Sequence, residues 1–324
     1  MNPDVATAVR HLARDGTLTR EQAHLFGRVA RRDLVSIRPE LRLLLYGGVL
    51  AVMGGVGELV RQNLDRIGPV AIAAGLWIAA LGALTWALRQ APPFSWSRAA
   101  STHLAFDYIL LLGVLLTGAA LAYVEVKFTP LGPAWGYHLL VMSLFAAVLA
   151  VRGDSRMVAG VALTTFAAWR GVAASPLEHA FWFGERGAGL LRANAVVTGL
   201  LFVVLGWWLV RTGRKAHFEP VPTHLGWMLV LGAVVSGIGE GGAEGNAFRA
   251  ILFLVGVGLA VVAFRGGRFS LFGMGLVAAY VGLSVLVLEA LPSGTLAFYW
   301  FSMTGMGVLA GLLVAHHSMK RRAA

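Results

Sequence analysis

The chain has 324 residues, 57% hydrophobic and 13% charged, with a mean hydropathy of +0.72. A soluble domain carries about 25% charged residues, so this chain lacks the charge to cover a water-facing surface and lipid must solvate much of it. The net charge of +11 sits in short loops between apolar runs, which speaks for topology-setting charge and against a nucleic-acid face, and the absence of cysteine removes disulfides, thiolate catalysis and cysteine-based metal sites.

Residues 1–40 are polar and Arg-rich, without the apolar core of a secretory signal, and read as a short helical hairpin. Asn2 can cap a helix with Pro3 in its first turn, and Val5, Val9 and Leu12 recur on one helical face. Gly16 stops that helix. Thr19 and Gln22 then have capping-box spacing for a second helix with an apolar face of Ala23, Phe26, Val29 and Ala30. Two helices this short do not bury enough surface to fold alone, so Phe26 and Val29 are expected to pack on the rest of the chain, on the membrane surface or on a protein partner.

From residue 41 onward, apolar runs alternate with short polar breaks. Spans are expected near 43–60, 68–88, 104–124, 135–151, 157–172, 194–210, 224–239, 249–264, 270–288 and 296–315. Crossing the hydrocarbon takes about 20 apolar residues as helix, and the fifth and eighth runs are short; a re-entrant fifth run would invert everything after it. The expected fold is therefore all-α: a polytopic membrane bundle of about ten transmembrane helices over 41–324, preceded by the cytoplasmic hairpin of 1–40.

Basic residues give an independent reading. With the N-terminus inside, 20 of the 27 Lys and Arg residues fall on the inner side, including Arg89, Arg98, Arg152, Arg156, Arg211, Arg214, Lys215, Arg265, Arg268 and Lys320–Arg322. Only Arg61, Arg66, Lys127, Arg170, Arg186, Arg192 and Arg249 fall outside. That asymmetry puts both termini in the cytoplasm. Trp86, Trp207, Trp208 and Trp227 fall near inner interfaces and Trp135, Trp169 and Trp300 near outer ones, the depth that indole prefers. Small residues line the first span (Gly47, Ala51, Gly55) and the last (Gly307, Gly311), and are expected to serve packing within the chain rather than dimerisation.

One stretch has a family likeness. Gly16-Thr17-Leu18-Thr19-Arg20-Glu21-Gln22-Ala23 is followed by a basic linker, then by Tyr46-Gly47-Gly48 through Gly54-Gly55-Val56-Gly57, then by Gln62-Asn63-Leu64-Asp65-Arg66-Ile67-Gly68. This resembles the bacterial membrane-protein family catalogued as domain of unknown function 2157, most clearly over residues 1–90, with Leu64 where members often carry tryptophan. The resemblance implies a short cytoplasmic helical segment before a multi-span bundle in the bacterial inner (cytoplasmic) membrane. It implies no activity.

No P-loop, dinucleotide fingerprint, His-Glu-x-x-His or nucleophile elbow is present, so an intramembrane enzyme ranks last. Adjacent His316 and His317 point apart on a helix and do not chelate, and no histidine pair suits haem; no cofactor or metal is indicated. The informative residues are ionisable groups in or beside spans, because they are costly there. Glu58, Glu240, Arg249 and Glu289 fall at outer span ends and could line an outward cavity, with Glu58 paired to Arg61 and Glu240 or Glu244 to Arg249. Asp107 lies on the inner side of the third span, where it could bind a proton or cation, snorkel, or pair with Arg98. His138, alone in the fourth span, reads as a hydrogen-bonded packing residue. Two functions stand against each other: a small-molecule or ion transporter, marked by a polar-lined cavity reaching the midplane, and a scaffold or sensor recruiting a partner through residues 1–40, marked by an exposed apolar hairpin face.

Overall fold

The computed structural model describes residues 12–16, 19, 21, 22, 25, 26, 38–98, 105–174, 185–290 and 294–322. Among them the regular structure is helical, without strand, and the chain divides into two compact units, Met1–Gly68 and Pro69–Ala324.

In the first unit, Gly16 takes the left-handed φ of +69° that a helix stop favours. The expected capping box forms: the Thr19 N–H donates to Gln22 Oε1 at 3.0 Å and the Gln22 N–H to Thr19 Oγ1 at 3.2 Å. Leu12, Leu25 and Phe26 are exposed, Phe26 by 45%. Asn2, Pro3, Val5, Val9, Ala23, Val29 and Ala30 lie outside the described residues. Helix α1 then runs from Arg38 to Ile67, with an apolar stretch, Leu43–Leu59, of 17 residues. The small residues Gly47, Ala51 and Gly55 lie within this stretch.

The second unit carries, among the described residues, α2 (Pro69–Arg89), α3 (Phe106–Phe128), α4 (Tyr137–Gly153), α5 (Arg156–Ala174), α6 (Glu185–Thr212), α7 (Pro220–Val235), α8 (Gly242–Arg265), α9 (Phe269–Ala290) and α10 (Gly294–Arg322). A helix thus stands at each expected apolar run. Seven helices are long and apolar enough to cross a membrane: α2, α3, α6, α7 with its preceding turn, α8, α9 and α10. The apolar stretches of α1 and α4 are shorter, and α5, which carries Thr164, Thr165 and Arg170, is not among the seven. The fully exposed apolar surface, with Ile78, Val126, Leu254, Val262 and Leu313 all more than 60% exposed, is what a multi-pass membrane protein offers to lipid and a soluble one cannot afford.

Chain neighbours pair as hairpins, α2 with α3, α4 with α5, α6 with α7 and α8 with α9, while α10 leans chiefly on α9. Two pairs touch through backbone. A Cβ on Gly199 of α6 would lie 2.6 Å from the Gly226 carbonyl of α7, and one on Gly256 of α8 would lie 2.4 Å from the Ala279 nitrogen and 2.7 Å from the Gly275 carbonyl of α9. With no hydrophobic drive between helices in lipid, such close approach supplies the dispersion contact that holds them. The remaining face of α10 is open, and Gly307 and Gly311 meet nothing within 4 Å, contrary to the intramolecular packing expected of them.

Loop contacts sort the helix ends into two faces. The Lys215 N–H donates to the Trp96 carbonyl at 2.7 Å, Lys215 Nζ lies 2.6 Å from Asp154, Arg268 lies 2.6 Å from Glu219, and the His316 ring sits 4.8 Å from Phe269. The connections after α2, α4, α6 and α8 and the end of α10 therefore share one face, called the basic face for its Arg and Lys residues. Arg192 with Glu240, and Arg249 with Glu289, join the N-terminal parts of α6 and α8, the connection after α7 and the end of α9 on the far face.

Candidate functional site

A cavity of about 660 Å³ lies between α3, α4 and α5 and extends to the α3–α4 connection. This is within the range of about 300–1,000 Å³ typical of small-molecule sites. Its mouth is formed by Val126, Thr129, Gly132 and Trp135 around the α3–α4 connection, and its floor by Val114, Met142 and Val161. From Thr129 to Val114 the helical rise gives a depth of about 20 Å, past the middle of α3. The sequence builds the mouth locally. Thr129 adopts a left-handed φ of 45° that ends α3, and Pro133 sits in the short 3₁₀ turn Gly132–Ala134 that redirects the chain into α4.

Within this mostly apolar lining stand Glu125 and His138, whose Oε2 and Nε2 atoms lie 2.8 Å apart; both side chains are largely buried. The Leu131 N–H also donates to Glu125 Oε2, at 3.2 Å, so the turn itself orients the carboxylate. His138 is hydrogen-bonded, as expected, but to a carboxylate in a cavity. Glu125 was not singled out in the sequence. It sits two residues before Lys127 at the end of an apolar run and reads there as an ordinary interfacial charge; only the turn brings His138 back to it.

The residues singled out at the far face form a different constellation. Arg249 is buried and pairs with Glu289; its Nε donates to the Ile238 carbonyl at 3.0 Å and its Nη1 to Asn246 Oδ1 at 2.7 Å. Glu240 pairs instead with Arg192 at 2.5 Å, so the expected Glu240–Arg249 pair is replaced by two others, one joining α6 to the α7–α8 turn and one within the α8–α9 pair. Geometry explains the exchange: Arg192 on α6 reaches Ser236 Oγ and the Ser236 carbonyl and stacks 5.3 Å over Phe248, which holds it against the α7–α8 turn. None of these residues lines the cavity. Glu244 is exposed at the start of α8. In the first unit, Glu58 accepts a hydrogen bond from Gln62 at 2.7 Å, and the Arg61 side chain lies outside what the structure describes. Asp107 falls in the first turn of α3, half-buried, where the helix dipole favours a carboxylate.

On the basic face, Asp154 holds both Lys215, at 2.6 Å, and His217, at 2.8 Å. Lys215 is only 2% exposed, and its ammonium also lies 5.4 Å from the Phe94 ring. Asp154 and Lys215 are two of the three described non-glycine residues with positive φ, each ending a helix or opening the next turn. Read from sequence as a loop charge, Lys215 instead locks three connections together. Above it lies an apolar pocket of about 240 Å³ between Ala150, Ala159, Leu205, Trp208 and Phe218. The Ser143 hydroxyl, donating to the Ala162 carbonyl at 2.9 Å, ties α4 to α5 between this pocket and the far-face cavity. These contacts tie the connections of the basic face to one another. Compared with protein-family models, with curated proteins and with solved structures, the chain matches none.

Proposed function

We propose that the chain is a ten-span bacterial inner-membrane transporter for a small molecule or ion, with both termini and the basic face in the cytoplasm and the α3–α4–α5 cavity open to the outside. The cavity carries this reading: it is large enough for a solute, reaches past mid-helix, and is closed beneath by a hydrogen bond and a buried ion-pair network. The resemblance of residues 1–90 to the domain of unknown function 2157 family supports the membrane location, and the sidedness of basic residues supports the orientation. Helices α1, α4 and α5 complete the ten spans with the help of flanking residues. The reading needs no catalytic step and no cofactor.

The test is uptake into vesicles reconstituted with the full chain, over a panel of ions and metabolites under imposed gradients. Wild type is expected to move at least one solute. Gly118→Phe, which fills the cavity beside Met142, is expected to abolish that movement without lowering abundance. A wild type that moves nothing, or a filled variant that transports normally, contradicts the reading.

A second reading rests on the exposed Leu12, Leu25 and Phe26: residues 1–40 recruit a protein partner. It predicts that deleting residues 2–34 leaves the bundle inserted and solute movement unchanged while a cross-linked partner is lost. Failure of insertion on that deletion would contradict an accessory role.

A further inference from the structure

We propose that the far-face cavity selects a monovalent lipophilic cation, with Glu125 as its counter-charge and Trp135 as its aromatic wall; this rests on the cavity being a ligand site, as argued above.

Charge decides the class. Of the residues lining the cavity, Glu125 is the one with a fixed charge, and the other titratable group is His138. The remaining walls are aliphatic or aromatic, with Thr129 and Thr165 supplying hydroxyls. An anion entering here meets a carboxylate in an apolar, poorly screened space, where like charges repel far more strongly than in water. A polyol or zwitterion meets too few polar partners to replace its hydration. A cation with an apolar body loses little hydration, buries that body against Leu121, Leu139 and Met142, and neutralises Glu125. Trp135 adds an indole face, the strongest ring for cation–π attraction. The volume argues for an organic ion over a bare metal ion: among the described residues no group of three acidic or histidine side chains could coordinate one, and about 660 Å³ is far more space than an ion needs.

His138 has a defined place in this scheme. Its Nε2 occupies a position 2.8 Å from Glu125 Oε2, which is where a bound cation would sit. The ring is thus the partner that keeps the buried carboxylate satisfied when the cavity holds no cation, and it is released when one arrives.

Two ions of matched shape and opposite charge test the class. Full-length protein in lipid nanodiscs is dialysed to equilibrium against tetraphenylphosphonium or tetraphenylborate, with empty nanodiscs subtracted. The cation is expected to bind at least tenfold more tightly than the anion. Glu125→Gln, which keeps volume and can still accept from Leu131, is expected to weaken the cation at least tenfold, and Glu125→Asp to weaken it less. Gly118→Phe is expected to remove binding. Matched thermal unfolding of the variants shows that each is folded. Equal binding of the two ions, tighter binding of the anion, or a Glu125→Gln variant that binds like wild type overturns the cation assignment while leaving a ligand site in place. No binding of the cation overturns it too. Binding unaffected by Gly118→Phe puts the ligand elsewhere and removes the cavity reading as well.

Discussion

Helices α8 and α9 touch backbone to backbone, whereas α3 stands off from the α4–α5 pair around a cavity. The difference follows from side chains at the crossing. Gly256, Gly275, Ala279 and Gly282 leave no volume between α8 and α9, so each helix is the other's nearest neighbour along much of its length. In the cavity region Gly118 faces only the tip of Met142, 3.7 Å from the built Cβ, and Trp135, Leu121 and Leu139 line space instead of filling it. One region has its glycines consumed by packing and its helix ends tied by ion pairs; the other spends its residues on a lined void. The first is built to stay rigid, the second to hold something.

This contrast can be broken by mutation. The largest expected effect is on the basic face, which underlies the cavity. Lys215→Ala leaves Asp154 charged and buried, with His217 still beside it but without the ammonium, and should cost about 3 kcal/mol, the lower end for a broken buried pair. Denaturant unfolding in detergent measures it, and the double variant Lys215→Met with Asp154→Asn should recover most of the loss, because the stranded charge is gone. Next comes Gly256→Leu. Its Cβ meets the Ala279 nitrogen, which belongs to a helix backbone and cannot step aside, so the loss should reach about 3 kcal/mol, the upper part of the range for overpacking. The same substitution at Gly118, opposite a flexible methionine tip, should stay within about 0.5 kcal/mol. Equal losses at the two glycines would erase the distinction between packed and open regions. Between these two, Arg249→Gln gives up the bond to the Ile238 carbonyl and the pair with half-exposed Glu289, for about 1–2 kcal/mol. It should leave solute movement through the cavity unchanged, since Arg249 does not line it. A transport defect larger than the stability loss would tie the far-face ion pairs to the cavity.

Hydropathy and turn chemistry made the helices legible. Every apolar run became a helix because period and length are written locally, and Thr19 with Gln22 capped as their spacing demands. Partner choice was not legible, because it depends on which helix faces which. Gly307 and Gly311 are small residues within a span as Gly256 and Gly275 are, yet only the latter pair meets a neighbouring backbone. Glu240 and Arg249 are close in sequence, yet each finds a partner on another helix, since the turn between them aims their side chains apart. Lys215 looked like a loop charge and is almost fully buried; its signal is a left-handed turn that composition does not reveal. Glu125 and His138 lie 13 residues apart across a turn, and nothing in helical periodicity pairs them.

In the proposed orientation the cavity between α3, α4 and α5 is open to the outside while the basic face is not. The native chain has no cysteine, so single-cysteine labelling of intact cells reads this directly. Gly118→Cys lies near the middle of α3, inside the cavity, and Thr212→Cys is exposed on the basic face. A small, membrane-impermeant cationic thiol reagent added outside should label Gly118→Cys in intact cells and Thr212→Cys only after permeabilisation. Labelling of Thr212→Cys in intact cells, or of Gly118→Cys only after permeabilisation, would contradict the account.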